Sequence, residues 1–514
     1  MYERLQELIS SGDYKEALYE FQEEFLHIDR QTDEDAARLC LLEASLWEAL
    51  EDSFAEFDAI ARGMKYDPQN YELFYMLGLF YKDVNINKAY LCVQQALLYC
   101  EVPEDAAAIR DMLFELEKDC SLRVKKLSIM VLSYNDPELL KKCIESIENT
   151  CFLEDTEVVV VDNNSTDEMV KEYLREKEGS ASYDFRLIEN EENMGFPLGC
   201  NLGAKNCDKD RDIFFLNNDA VLMPNAVFFL RMGLYEDRNV GAVSALSNSA
   251  SLQEIEPKNF EKYAGRDLGQ LWHKELPLEE SLRIFNSYSK DMSIPKHDPY
   301  IRRFRLTGFA LMVSKEALDV VAPGRDVFDG LFSPGYFEDD DLGMRLARAG
   351  FMQLVCDNSF IYHHGGSGFE GHNDAMEKGR QKFIDKWGFD VWGYSLHWDE
   401  ACKAIVELYN ERKEPLRVID FTCGFGATAS FLKHEIPDIY VAGVCRVPFA
   451  ASIARNMADS VAWGDLNLCR LPWKNHSFDV ALIDRTDVCK VRASQFVKQN
   501  GIIIDEEFFK GDEE

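Results

Sequence analysis

Apolar and charged positions alternate with a helical period through residues 1–120, and few β-branched residues interrupt the pattern, which predicts a succession of packed helices. From Lys126 the texture changes to short runs rich in Val, Ile, Leu and Phe, separated by amphipathic stretches. That is the pattern of an α/β unit built on a mostly parallel sheet. The expected strands are Leu127 to Ser133, Glu157 to Val161, Phe185 to Ile188, Ile213 to Leu216, Val240 to Ala245, Gly308 to Val313 and Phe351 to Val355. A helical stretch ending near Glu414 leads to a second, smaller α/β pattern, in which Arg417 to Phe421 precede Gly424, Gly426 and a helix. The chain therefore reads as multidomain, with expected units at residues 1–120, 121–395 and 396–514.

Within the helical region Gly12, Tyr14, Ala17, Phe21 and Phe25 resemble the second half of a tetratricopeptide (TPR) repeat. Phe74, Leu77, Gly78, Tyr81, Ala89, Ala96, Leu97 and Pro103 resemble a second copy with one residue deleted in its turn, and an unrelated helical bundle is the alternative. A net charge of -36 over 514 residues opposes binding to nucleic acid or to anionic lipid. No apolar run reaches the roughly 18 residues that span a bilayer, and the first residues carry no signal-peptide core, so a cytoplasmic protein with no transmembrane segment is expected. The 14 cysteines are scattered singly without a Cys-x-x-Cys pair and read as reduced thiols.

Polar residues gather where the expected strands end. Ser133, Tyr134 and Asn135 close the first strand, and Asp162, Asn163, Asn164, Ser165, Thr166 and Asp167 close the second. In an open α/β sheet this edge binds ligands, and a carboxylate beside an aromatic suits a pyrimidine base; the same residues could equally cap the next helices. Asn193, Gly195, Gly199, Asn201 and Gly203 punctuate a loop entering a helix, where missing side chains would let backbone approach a nucleotide, or simply form a turn. The strand Ile213 to Leu216 runs into Asn217, Asn218 and Asp219, an acidic terminus able to hold Mg2+ or Mn2+ together with a donor diphosphate. Glu338, Asp339, Asp340 and Asp341 form the densest acidic cluster, suited to a general base or, more simply, to a helix N-terminus. His363 and His364 precede Gly365, Gly366 and Ser367, where an imidazole could complete a metal shell.

Taken in this order these landmarks resemble glycosyltransferase family 2, over roughly half the chain. The resemblance implies a GT-A fold and an inverting, Mn2+- or Mg2+-dependent transfer from a nucleotide-diphosphate sugar, a UDP-sugar such as UDP-GlcNAc being the expected donor. By the same resemblance Ser133, Tyr134, Asn135, Asp162, Asn164, Asn193, Gly199 and Asn218 would bind the nucleotide, with Asp162 and Asn193 on uracil. Asp219 and His363 would hold the metal, Asp339 would be the catalytic base, and Glu338, Asp341 and His364 are secondary candidates toward the acceptor. Lys386, Trp387 and Gly388 close the domain as in many relatives. The sequence departs from the family at Asn217, which replaces the first metal-motif aspartate, and at Cys200, where many relatives carry a phosphate-binding arginine.

The run Val418 to Gly426, with Gly464-Asp465 and Phe478-Asp479, resembles class I methyltransferases in a Rossmann-like domain. The acidic residue expected after the strand Ile439 to Val444 is replaced by Cys445, and Thr422 stands for a glycine, so a degenerate, truncated unit without an S-adenosylmethionine site is expected. Its remaining uses would be acceptor placement or contact in a homo-oligomer. Repeat-type helices bind peptide segments, and the fusion resembles bacterial enzymes that modify Ser or Thr of surface proteins such as flagellin, which makes a protein the expected acceptor. Alternatives are transfer of rhamnose or another sugar to a lipid-linked or surface polysaccharide, a bifunctional glycosyl- and methyltransferase, and a non-catalytic TPR-type binding protein.

Overall fold

The computed structural model describes residues 2–28, 31–268, 276–365, 372–484 and 488–510. Gly366 and Ser367 lie outside the described residues.

Helices fill the first region, from Tyr2–Ser11 to Pro103–Leu116, and short polar residues start several of them. Thr32, Asp52, Asn70 and Asn85 each accept a hydrogen bond from a backbone N–H of the following turn, satisfying donors that the helix itself leaves unpaired. The helix Ile86–Tyr99 is buried along almost its whole length because it packs against both its neighbours and the central unit. Phe74 meets Phe228 edge-on at 5.1 Å, and Gln94 accepts from Arg231 at 2.6 Å. The helical region thus shares one interior with the α/β unit rather than standing apart from it.

One buried acid in this region gives a pH prediction. Burial, reinforced by Glu48, raises the Glu56 carboxyl from 4.5 to about 7. Folding takes up a proton between those values, so the cost of the charged form is full above the upper one and vanishes below the lower. Glu56→Gln is expected to stabilise the protein by on the order of 2 kcal/mol at about pH 8, and by nothing at about pH 4, in denaturant titrations at the two values.

The central sheet has nine strands: β1 (Leu127–Ser133), β2 (Thr156–Asp162), β3 (Phe185–Glu189), β4 (Asp212–Asn217), β5 (Ala220–Leu222), β6 (Val240–Leu246), β7 (Tyr300–Arg303), β8 (Ala310–Val313) and β9 (Met352–His363). They run in the order β3-β2-β1-β4-β8-β6-β9-β5, with β7 also on β9. Strands β3, β2, β1 and β4 are parallel, whereas β8 is antiparallel to both neighbours, as β5 and β7 are to β9. The mostly parallel sheet expected from sequence is therefore a mixed one. Strand β8 follows β7, which already opposes β9, and the short stretch 304–309 between them carries the chain on without reversing it, so β8 also runs against its neighbours β4 and β6. Strands β5 and β7, absent from the sequence expectation, are only three and four residues long.

The C-terminal sheet is wholly parallel, in the order β12-β11-β10-β13-β14: β10 (Arg417–Asp420), β11 (Tyr440–Cys445), β12 (Ser460–Trp463), β13 (Phe478–Ile483) and β14 (Val497–Asp505). The crevice at its strand ends is packed with side chains. Gly424, in the left-handed region at φ +49°, lies so close to Tyr394 that a Cβ would stand 2.7 Å from the Tyr394 carbonyl oxygen. The Phe425 ring packs on Phe304 at 4.3 Å and on Tyr394 at 5.3 Å. Cys423 and Cys445 lie buried beneath, their sulfurs 3.1 Å apart as free thiols. The same apolar cluster takes in Phe337 and Met344, which flank and belong to the helix Glu338–Arg348.

Candidate active site

Strands β2, β1 and β4 end level with one another: Ser133 pairs with Asp162, and Leu132 with Asn217. The strand order reverses between β1 and β4, so the chain leaves these two ends in opposite directions and opens a crevice between them. Asn135, at φ +57°, folds back so that its Oδ1 accepts from Thr166 N–H at 2.8 Å and Asp167 N–H at 3.2 Å, tying the first strand end to the second. Asp162 is buried, and its Oδ1 accepts from the Ser165 hydroxyl and N–H. Asn163 carries the next link. It donates to Asn193 Oδ1 at 2.9 Å and accepts from Asn190 and from Met194 N–H, which fixes the loop before the helix Gly195–Asn206. Asn164 is half-buried at φ +64°, Asn193 is exposed, and Tyr134 offers an exposed ring, 44 % accessible, at the rim. Asn218 donates to the Asn135 carbonyl at 3.3 Å, so all these strand-end residues form one continuous lining.

The turn from β4 into β5 carries Asp219. Because Ala220 pairs with His363 across the antiparallel β5 and β9, Asp219 and His363 become neighbours, with Oδ1 and Nε2 3.3 Å apart. His363 is gripped from the loop after β6. Asn248 bonds both its N–H and its carbonyl, and the Ser249 carbonyl lies 2.5 Å from Nδ1. With a proton on Nδ1 held by the Ser249 carbonyl, Nε2 either carries a second proton to the Asp219 carboxylate or, without it, has a lone pair free to coordinate a metal. Burial pulls the His363 imidazole down, but the Asp219 carboxylate beside it prevails and its pKa is raised. His364 instead bonds the Tyr362 hydroxyl at 2.9 Å.

Tyr336 and Phe337, both in the left-handed region at φ +76° and +71°, swing the chain into the helix Glu338–Arg348. This start gives the four acids four different surroundings. Asp339 is half-buried. Its Oδ2 accepts from Gly308 N–H at 3.1 Å and its Oδ1 from Asp340 N–H at 2.8 Å. Asp340 is buried against Arg305 at 2.5 Å; burial raises its pKa, and the guanidinium opposes that rise. Asp341 is completely buried and accepts from Arg345, Lys386 and Trp387. Glu338 is buried as well, and burial with the adjacent Asp339 holds its carboxyl well above the usual range. The cluster therefore leaves Asp339 as its accessible carboxylate. The base and metal-turn candidates meet through one strand pair, since Asn217 N–H donates to the Phe309 carbonyl at 2.9 Å, one residue from Gly308.

Of the residues that the sequence pattern offers as ligand contacts, Ser133, Asp162, Gly199, Asp219, Glu338 and Asp341 are all buried. Ser133 faces inward from the strand end. A Cβ at Gly199 would lie 2.5 Å from a Leu132 methyl, so the missing side chain lets this helix pack closely on β1. Asp341 holds the helix Glu338–Arg348 to Lys386 and Trp387. The residues missing from the sequence reading are those that hold others: Asn248, Ser249, Arg305, Gly308 and, with no role given to it, Asn163. A signal for two of them is present, because Ser247, Asn248 and Ser249 follow a strand at the same sheet edge as Ser133 and Asp162.

A family model described as Glycosyl transferase family 2 matches residues 128–270. The match takes in β1 to β6 with Asp219, and ends before Asp339 and His363. No curated protein matches the chain. Among solved structures, GalNAc-T7 with UDP, GalNAc and Mn2+ is 16% identical with a TM-score of 0.38, over 54% of this chain and 50% of that one. The mannosyltransferase PcManGT from Pyrobaculum calidifontis, in complex with GDP-Man and Mn2+, is 16% identical with a TM-score of 0.37, over 68% of this chain and 85% of that one. The chain thus spans half the length of GalNAc-T7.

Proposed function

We propose that this glycosyltransferase moves a sugar, with inversion, from a nucleotide-diphosphate donor such as a UDP-sugar to a hydroxyl acceptor, and that Asp339 is its base. The observation that carries this reading is the setting of Asp339: two backbone N–H groups orient its two oxygens while the side chain stays accessible, beside the turn that carries Asp219. The nucleotide would lie along Tyr134, Asn135, Asp162, Asn193 and Asn218. Asp339 takes the proton of the acceptor hydroxyl as that oxygen attacks the anomeric carbon, and the bond to the donor diphosphate breaks in the same displacement.

One carboxylate and one imidazole with its outer nitrogen already fixed suit a Mn2+ or Mg2+ ion whose remaining ligands are diphosphate oxygens. Among the described residues no group of three or more acidic, His or Cys side chains gathers that could hold such an ion. The ion would neutralise charge on the departing diphosphate. No helix of the described residues is long and apolar enough to cross a membrane. A helical, TPR-like region fused to the core favours a protein acceptor, Ser or Thr of a flagellin-like protein being the leading class.

The test is release of nucleoside diphosphate from a panel of sugar nucleotides, with Mn2+ or with chelator and water as slow acceptor. Turnover of one donor is expected, and chelation should lower it by at least about a hundredfold. If no donor turns over and none shifts the melting temperature, the reading fails in favour of a non-catalytic binding protein.

A further inference from the structure

Gln253 stands outside the catalytic candidates, yet it lies between the segments that hold them. It is 1 % exposed, and both ends of its amide are bonded. Oε1 accepts from Thr307 N–H at 2.7 Å, and Nε2 donates to Ser244 Oγ and to the Ala245 carbonyl, each at 2.7 Å. Ser244 passes the link on to the Ala310 carbonyl. The side chain therefore ties the end of β6 to the irregular stretch 304–309, and the residue after Thr307 is Gly308, whose N–H meets Asp339. Through its backbone the same residue reaches the other half of the site: the Gln253 carbonyl accepts from Ser247 N–H at 2.9 Å, and the next two residues, Asn248 and Ser249, grip His363.

We infer that Gln253 is a positioning residue that sets the base Asp339 against the Asp219–His363 pair by clamping Thr307 and Gly308 to the end of β6. The inference rests on the transferase reading above. A buried N–H deprived of its acceptor costs free energy, so the 304–309 stretch moves to find another partner and takes the Gly308 N–H with it. A displacement of about 1 Å in a catalytic group can cost about a hundredfold in rate while binding survives.

The experiment uses the full chain, with Gln253→Leu, which removes both ends of the clamp at similar volume, and Gln253→Glu, which keeps an acceptor for Thr307 N–H. Gln95→Leu, a buried glutamine between the helical region and the central unit, controls for loss of a buried amide. Gln253→Leu is expected to lower kcat by about ten- to a hundredfold with donor KM within about twofold. Burial keeps the carboxyl of Gln253→Glu protonated, so that its O–H replaces the amide donor to the Ala245 carbonyl and this variant should recover most of that loss, whereas Gln95→Leu should change melting temperature without changing kcat. Unchanged kcat in folded Gln253→Leu, or an equal loss in the Glu and Leu variants, overturns the inference. Should Gln253→Leu not fold, Gln253→Asn asks the same question, since it keeps the amide one methylene short of Thr307. Hydrogen–deuterium exchange across 304–309 separates the two readings: with no donor turned over by wild type the transferase reading fails, while faster exchange there in Gln253→Leu still supports the clamp, and unchanged exchange removes it.

Discussion

Asp339→Asn is expected to reduce sugar transfer by a factor on the order of 10²–10⁴ while donor affinity stays within about twofold. Asparagine keeps the size and one oxygen for Gly308 N–H, gives up the acceptor for Asp340 N–H, and cannot take up the acceptor proton. Donor affinity would survive because the nucleotide lining and the Asp219–His363 pair lie on other elements. The readout is kcat and donor KM from diphosphate release, paired with donor-induced thermal shift. An activity within tenfold of wild type would remove Asp339 as the base. The next suspect would be Glu338, whose burial makes its carboxyl a reluctant anion.

The second large effect is on stability. Asp341→Ala should cost about 3–5 kcal/mol, because it removes the acceptor shared by Lys386, Arg345 and Trp387 inside the protein and leaves cationic groups with fewer partners. Asp341→Asn, which retains the geometry and loses the charge, should cost less than the alanine variant. Urea unfolding of the three proteins checks both statements, and equal midpoints for wild type and Asp341→Ala would show the network to be dispensable.

These two neighbouring acids show where sequence stops being informative. The pattern Glu-Asp-Asp-Asp is visible as a cluster, but which acid faces the crevice is set by the two left-handed residues before it and by Arg305, Lys386 and Trp387. Those partners are up to 46 residues away. The strands of the central sheet are legible because buried runs of Val, Ile, Leu and Phe have few other readings. The direction of β8 is not, because an antiparallel strand carries the same apolar signature as a parallel one. Landmarks at strand ends are legible too, since Asp219, Asp162 and Asn193 sit at junctions where chain direction changes. The side chains that hold them answer to long-range contacts, such as Asn248 on His363, 115 residues apart, and leave only a local polar turn as their trace. The filled crevice of the C-terminal sheet is half legible. Cys445 and Thr422 are the ground for expecting no S-adenosylmethionine site, but nothing local announces that Tyr394 and Phe425 pack together there.

That aromatic packing links the C-terminal unit to the helix Glu338–Arg348. Phe425, Cys423 and Cys445 pack into the same apolar cluster as Phe337 and Met344, and Phe337 is the residue that turns the chain into the base helix. The C-terminal sheet thus stands behind the helix that carries Asp339, joined to it by one apolar cluster. With Asp339 as the base proposed above, variation in the last hundred residues of this chain bears on the reaction through that packing, and a genetic screen for lost transfer should return hits there as well as in the central unit.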